Sequence, residues 1–112
     1  MVQHAGNIAR IPHGVADIFN EEAAAVTALE RRLHDLYTSW GYARVIPPTF
    51  AYYEQLAVQA SEQLQTEMFR FFDREGHILA LRPDMTVPTA RIAGSKLNDS
   101  PKPLRFYYIG NV

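Results

Sequence analysis

The residues with the most evident chemistry lie in the stretch LALRPDMTVPTAR, Leu79 to Arg91. Arg82-Pro83-Asp84-Met85-Thr86 brings a cation, a carboxylate and a hydroxyl to a sharp change of backbone direction. Pro83 disfavours the helical region for Arg82 and holds it extended, as at the end of a strand. Pro88 must fall in the first turn of any helix that follows, because further in it would clash with the preceding turn. These constraints predict a strand end, a corner, and a helix from about Thr86 to Leu97, with Thr86 as N-cap and Asp84 just outside it. Asp84 would then be an acceptor-only group suited to an ammonium or a guanidinium. Thr86 adds a hydroxyl beside it, and Arg82 a possible support. A carboxylate next to free amide donors could hold both ends of an amino acid's backbone. Simple capping accounts for the same residues, since Asp and Thr are favoured at helix starts whatever the function. The residues alone leave both readings open.

Other candidates are weaker. His4, His13, His34 and His77 are scattered and read as surface residues, with no pair at metal-ligand spacing. No glycine-rich phosphate loop is present. Phe69, Phe71 and Phe72 with Phe106, Tyr107 and Tyr108 could stack a base. At strand spacing beside Leu79 and Leu81 they read instead as core. Arg70, Arg74, Arg91 and Arg105 could join Arg82 in an anion site, but most read as solvated or ion-paired. Neither a cofactor nor a metal is expected, and nothing in the pattern marks an autonomous enzyme.

The totals narrow the classes further. The chain has 112 residues, 47% of them apolar and 21% charged, as in an ordinary globular domain. Its formal net charge of −1 gives no excess to attract nucleic acid or an anionic membrane. There is no cysteine, so no disulfide framework or thiolate ligand. No segment approaches the ~18 apolar residues of a membrane span. The first dozen residues lack the apolar centre of a signal peptide. A cytoplasmic, soluble protein is the expectation.

The elements that must position the corner follow from periodicity. Residues 1–16 read as an irregular lead-in broken by Pro12 and Gly14. Val26, Leu29, Leu33, Leu36 and Trp40 recur at helical steps, predicting an amphipathic helix from about Asn20 to Trp40. Asp17 or Asn20 can cap it, Glu21 and Glu22 suit its first turn, and Gly41 suits its end. Tyr42–Ile46 reads as a strand that Pro47 and Pro48 must end or confine to an edge. Tyr52–Gln65 suggests a short helix, with a mobile polar stretch around Ser61–Thr66. Met68–Phe72 and Ile78–Leu81 read as a hairpin across Asp73-Arg74-Glu75-Gly76, with Gly76 free to take positive φ. Asn98–Pro103 is a loop, and RFYYIGNV a last strand. An unguarded apolar strand at the end is an aggregation hazard, so the chain is expected to be the front part of something longer.

The order of these pieces resembles a known one. A PxGxxD lead (Pro12, Gly14, Asp17) precedes a long helix, and a WGY–strand–Pro-Pro element follows. An aromatic hairpin then ends in LRPDMT, and RFYYIGNV closes the chain. This is similar to the start of the class II aminoacyl-tRNA synthetase core, in the histidyl branch. Asn20–Pro48 resembles that class's first motif, a dimer-interface helix and strand, with Pro48 matching its proline. RFYYIGNV, in a segment from about Leu104 to Val112, resembles the opening strand of the second. The implied fold is α+β, an antiparallel sheet flanked by helices and incomplete at the C-terminus, with residues 1–112 as the N-terminal part of one domain. Histidyl-tRNA synthetases typically carry Arg-Pro-Glu-Gly-Thr at the corner. Arg82-Pro83-Asp84-Met85-Thr86, PHGVADIF and TVPTARIAGSKL are more similar to the family's non-catalytic branch, the regulatory subunits of ATP phosphoribosyltransferase. That resemblance implies a short-form ATP phosphoribosyltransferase catalytic subunit as partner and histidine as effector. It also implies self-association through Asn20–Pro48, with neither a nucleic-acid nor a membrane partner. Asp84 would meet the ligand's α-amino group, with Thr86 beside it. A histidine–tRNA ligase core is the alternative.

Overall fold

The computed structural model describes residues 8–112. The chain divides into two compact units, Met1–Asp35 and Leu36–Val112. Helix α1 (Asn20–Ser39) begins in the first unit, and its last residues, Leu36–Ser39, belong to the second. Its lead-in turns at Gly14, whose φ is +87°, and Asn20 opens the helix at φ +51°. Glu21 and Glu22 occupy the first turn, where the positive end of the helix dipole favours them. The expected apolar stripe is present but uncovered: Leu33 is half-buried, while Val26, Leu29, Leu36 and Trp40 are exposed.

The helix ends one residue before Trp40, for a reason readable in the backbone. Tyr42 N–H reaches Tyr37 O at 3.0 Å, and Gly41 N–H reaches Thr38 O at 3.0 Å. This is a Schellman closure, which needs a left-handed residue, and Gly41 supplies it at φ +81°. The last turn of α1 presents Tyr37, whose ring stacks on Tyr107 with centroids 4.9 Å apart.

The second unit continues with β1 (Ala43–Arg44), β2 (Phe50–Tyr52), α2 (Tyr53–Ala57) and α3 (Glu62–Glu67). The hairpin β3 (Arg70–Phe72) and β4 (Ile78–Leu81), then α4 (Thr86–Ser95) and β5 (Phe106–Tyr107), complete it. A three-stranded antiparallel sheet has the order β2-β4-β3, pairing Ala51 with Ala80 and Phe71 with Leu79. The hairpin is as expected. Gly76 takes φ +86°, and its N–H closes on Asp73 O at 3.2 Å. Leu56, Met68 and Ala80 form the core, with Leu64 and Val87 packed against them.

Several expectations need correction. Within Tyr52–Gln65 the expected short helix is α2, confined to Tyr53–Ala57. Phe50–Tyr52 is a strand, and the polar stretch expected to be mobile is helix α3. Ser61 accounts for the split, because its hydroxyl accepts Leu64 N–H at 3.2 Å and so starts a new helix. Gln65 then donates to Ala57 O and Ala60 O, satisfying carbonyls where α2 ends. The strands at either end of the second unit are shorter than expected and pair in parallel, with Ala43 opposite Phe106 and Arg44 opposite Tyr107. The last strand is therefore partnered, not bare. Helix α4 stops at Ser95 rather than Leu97. The aromatic hairpin is not core either: Phe69 and Phe72 are exposed, and of that set only Tyr107 is buried. Among the described residues no helix is long and apolar enough to cross a membrane.

Candidate functional site at the strand-to-helix corner

The corner begins where β4 runs out. Arg82 N–H still donates to Thr49 O at 3.0 Å, so residue 82 is held in line with the sheet. Its side chain does not reach the surface, being only 8% exposed. Nε donates to Asn111 O at 2.9 Å, and Nη1 donates to Pro47 O at 2.8 Å and more weakly to Pro48 O at 3.4 Å. Arg82 is thus a buried cation neutralised by backbone carbonyls, with no carboxylate among its bonds. Such bonds are stronger than neutral ones because the donor is charged. Offered by the sequence as a possible support of a ligand site, Arg82 spends its donors on backbone carbonyls. Arg82 ties β4, the Pro47-Pro48 segment and the tail after β5 into one piece, and offers a ligand little.

Gly110 completes this contact. A Cβ there would lie 3.0 Å from Arg82 Nη2 and 3.3 Å from Met85 Cε. A side chain there would make the ends of Arg82 and Met85 give by a few tenths of an ångström, so glycine suits this close approach of the tail. Met85 is itself buried, which fixes the loop between the two polar residues on either side of it.

Asp84 is exposed, and its Oδ1 accepts Thr86 N–H at 2.9 Å. This is an Asx-type turn, in which a short acid ties down the backbone two residues on. The N-cap position falls on Met85, at φ −110° and ψ 1°, with no side-chain cap. Thr86 is therefore the first helical residue and not the cap the sequence suggests. Its hydroxyl is released from the helix start and lies 3.0 Å from the Tyr108 hydroxyl. Pro88 falls in the first turn, as it must. The helix start offers fewer amide donors than expected, since Thr86 N–H is taken by Asp84 and Pro88 has none. The corner thus brings Asp84, Thr86 and Tyr108 to the surface together, with Arg82 beneath them. Tyr108 was not among the expected site residues. The one signal for it is strand alternation, which sends Tyr108 to the opposite side from the buried Tyr107.

Other polar groups have local duties. At the hairpin turn Asp73 Oδ1 accepts Glu75 N–H at 2.9 Å and His77 N–H at 2.8 Å, while Oδ2 meets His77 Nδ1 at 3.0 Å. Burial pushes the Asp73 carboxyl up, but the His77 backbone and ring bonds, the Glu75 N–H and the His77 charge outweigh it and hold it below its ordinary 3.8. Asp73, Glu75 and His77 could meet one metal ion, yet the turn itself already uses both oxygens of Asp73. A cleft of about 370 Å³ lies between α2 and α4, walled by Leu56, Val58, Val87, Pro88 and Arg91, and does not include Asp84 or Thr86.

Residues 14–112 match the histidyl-tRNA synthetase family. The ATP phosphoribosyltransferase regulatory subunit of Desulforamulus reducens is 44% identical over 92% of this chain and 25% of its own length. A crystal structure described as an ATP phosphoribosyltransferase regulatory subunit/histidyl-tRNA synthetase from Bacillus halodurans superposes with a TM-score of 0.83 at 34% identity, covering 94% of this chain and 27% of that one. The apo histidyl-tRNA synthetase of S. aureus gives a TM-score of 0.75 at 27% identity, covering 88% of this chain and 27% of that one. The chain spans about a quarter of the length of the curated relatives it matches.

Proposed function

The chain belongs to the histidyl-tRNA synthetase family, and from that premise we propose that it serves the regulatory branch rather than the aminoacylating one. In this reading it is part of a non-catalytic subunit that partners a short-form ATP phosphoribosyltransferase. That enzyme joins ATP and phosphoribosyl pyrophosphate in the first step of histidine biosynthesis, and the subunit senses histidine. The observation that carries the reading is the 44% identity to a relative named as that regulatory subunit. The Asp84-Met85 corner agrees with it, since the synthetase branch resembles Glu-Gly there. Histidine would dock with its α-amino group against Asp84 and Thr86, while Arg82 keeps the corner in register. Histidine bound in one subunit and phosphoribosyl transfer in the other would then be coupled through two conformational states, and for binding the coupling must be reciprocal. Asn20–Pro48 would serve as a self-association element, and Leu104–Val112 as the start of the second family motif.

The test uses the protein that contains this chain. Added to a short-form catalytic subunit, it is expected to raise phosphoribosyl transfer to ATP and to make that transfer sensitive to histidine. Absence of stimulation, together with histidine-dependent ATP–pyrophosphate exchange, would favour the ligase instead.

A further inference from the structure

We propose that Tyr108 is a ligand-contacting residue of the same corner, supplying the third oxygen of an ammonium subsite with Asp84 and Thr86. This rests on the amino-acid-binding reading above and adds to it a residue that the family resemblance did not assign here.

A primary ammonium carries three N–H donors and no acceptor, so a site built for it presents three oxygens. Asp84 spends Oδ1 on Thr86 N–H, which leaves its second oxygen without a hydrogen-bond partner among the described residues. Thr86 Oγ1 and the Tyr108 hydroxyl lie 3.0 Å apart, and either can donate to the other. One hydroxyl proton is shared between them, and each oxygen keeps a lone pair to face a cation. Capping explains Asp84 and the start of α4. It does not explain a tyrosine hydroxyl brought to the same point from the end of a different strand.

The tyrosine is also held in place. Tyr107 is buried and stacked on Tyr37, which fixes the strand's rotation and turns Tyr108 to the other side. After it, Arg82 grips Asn111 O, and Gly110 lies close against Met85. A hydroxyl anchored on both sides is pre-organised, so little ordering remains to oppose binding.

Calorimetry on the protein containing this chain tests the proposal with three probes. These are histidine, histamine (ammonium without carboxylate) and imidazolepropionate (carboxylate without ammonium). Tyr108→Phe is expected to weaken histidine and histamine about 10-fold, as for a lost bond to a charged group, and to leave imidazolepropionate unchanged. Unaltered histidine affinity in Tyr108→Phe, with binding lost in Asp84→Asn, overturns the role of Tyr108 and leaves the histidine-binding reading intact. An equal loss for all three probes makes Tyr108 merely structural and also overturns it. No histidine binding by the unsubstituted protein overturns the reading itself. A measurement that removes no side chain guards against a misfolded variant. The 19F resonance of fluorotyrosine at position 108 is expected to shift with histidine and histamine but not with imidazolepropionate.

Discussion

Arg82 shows how much a single residue's role depends on partners remote in sequence. The sequence marks it as the last residue of a strand before proline; it lies one residue past β4, with its N–H still bonded in line with the sheet. Its burial was not legible, because its acceptors are the carbonyls of Pro47, Pro48 and Asn111, and no side chain advertises a carbonyl. The prolines are suitable acceptors because they lack N–H groups and interrupt the ladder there. Asp84 and Thr86 were legible as a pair, but their division of labour was not. Thr86 is a helical residue with its hydroxyl on Tyr108, and Asp84 holds the turn. Replacing Arg82 by Met keeps an apolar stem and strips the donors. Each orphaned carbonyl costs about 1–3 kcal/mol, so Arg82→Met is expected to lower stability by about 2 kcal/mol or more in urea unfolding. A loss below about 0.5 kcal/mol, the range of ordinary surface changes, would show that the clamp is dispensable.

Elements with strong local codes are those the sequence specifies well. Helix α1 follows its 3.6-residue stripe and its glycine stop, and the β3–β4 hairpin follows alternation and Gly76. Strand β2 is hidden because only Thr49 separates it from two prolines and it leads straight into α2. The parallel pairing of β1 with β5 is hidden for a different reason: each contributes two paired residues, and neither encodes the direction of its partner. The hairpin turn carries a pH dependence of its own. Asp73 is held below 3.8 in the folded chain, so it contributes stability above that value and loses it as the pH falls through the lowered folded value. Melting temperatures of the parent and of Asp73→Asn should therefore differ near neutrality and converge in acid below 3.8. A gap that stays constant across that range would exclude the Asp73 carboxylate as its source.

For the molecule as a whole, the most telling feature is apolar surface left in water. Leu29 is 58% exposed, Leu36 52% and Trp40 72%, at the steps expected of a buried helical stripe. The proposed self-association through Asn20–Pro48 would cover that stripe. Leu29→Glu with Leu36→Glu is then expected to shift sedimentation of the protein containing this chain toward the monomer, leaving its far-ultraviolet circular dichroism unchanged. Self-association that survives both charges would place the contact elsewhere. The β1–β5 pairing has a further consequence, for the order of assembly. The hairpin closes over a handful of residues, whereas Ala43 must find Phe106 across most of the second unit. Loop closure costs more as the enclosed chain lengthens, and distant pairings form slowly. Tyr108, Gly110 and Asn111 reach the corner only when that distant pairing closes. The chain can therefore build its hairpin early, but it completes the proposed Asp84, Thr86 and Tyr108 cluster among its last steps.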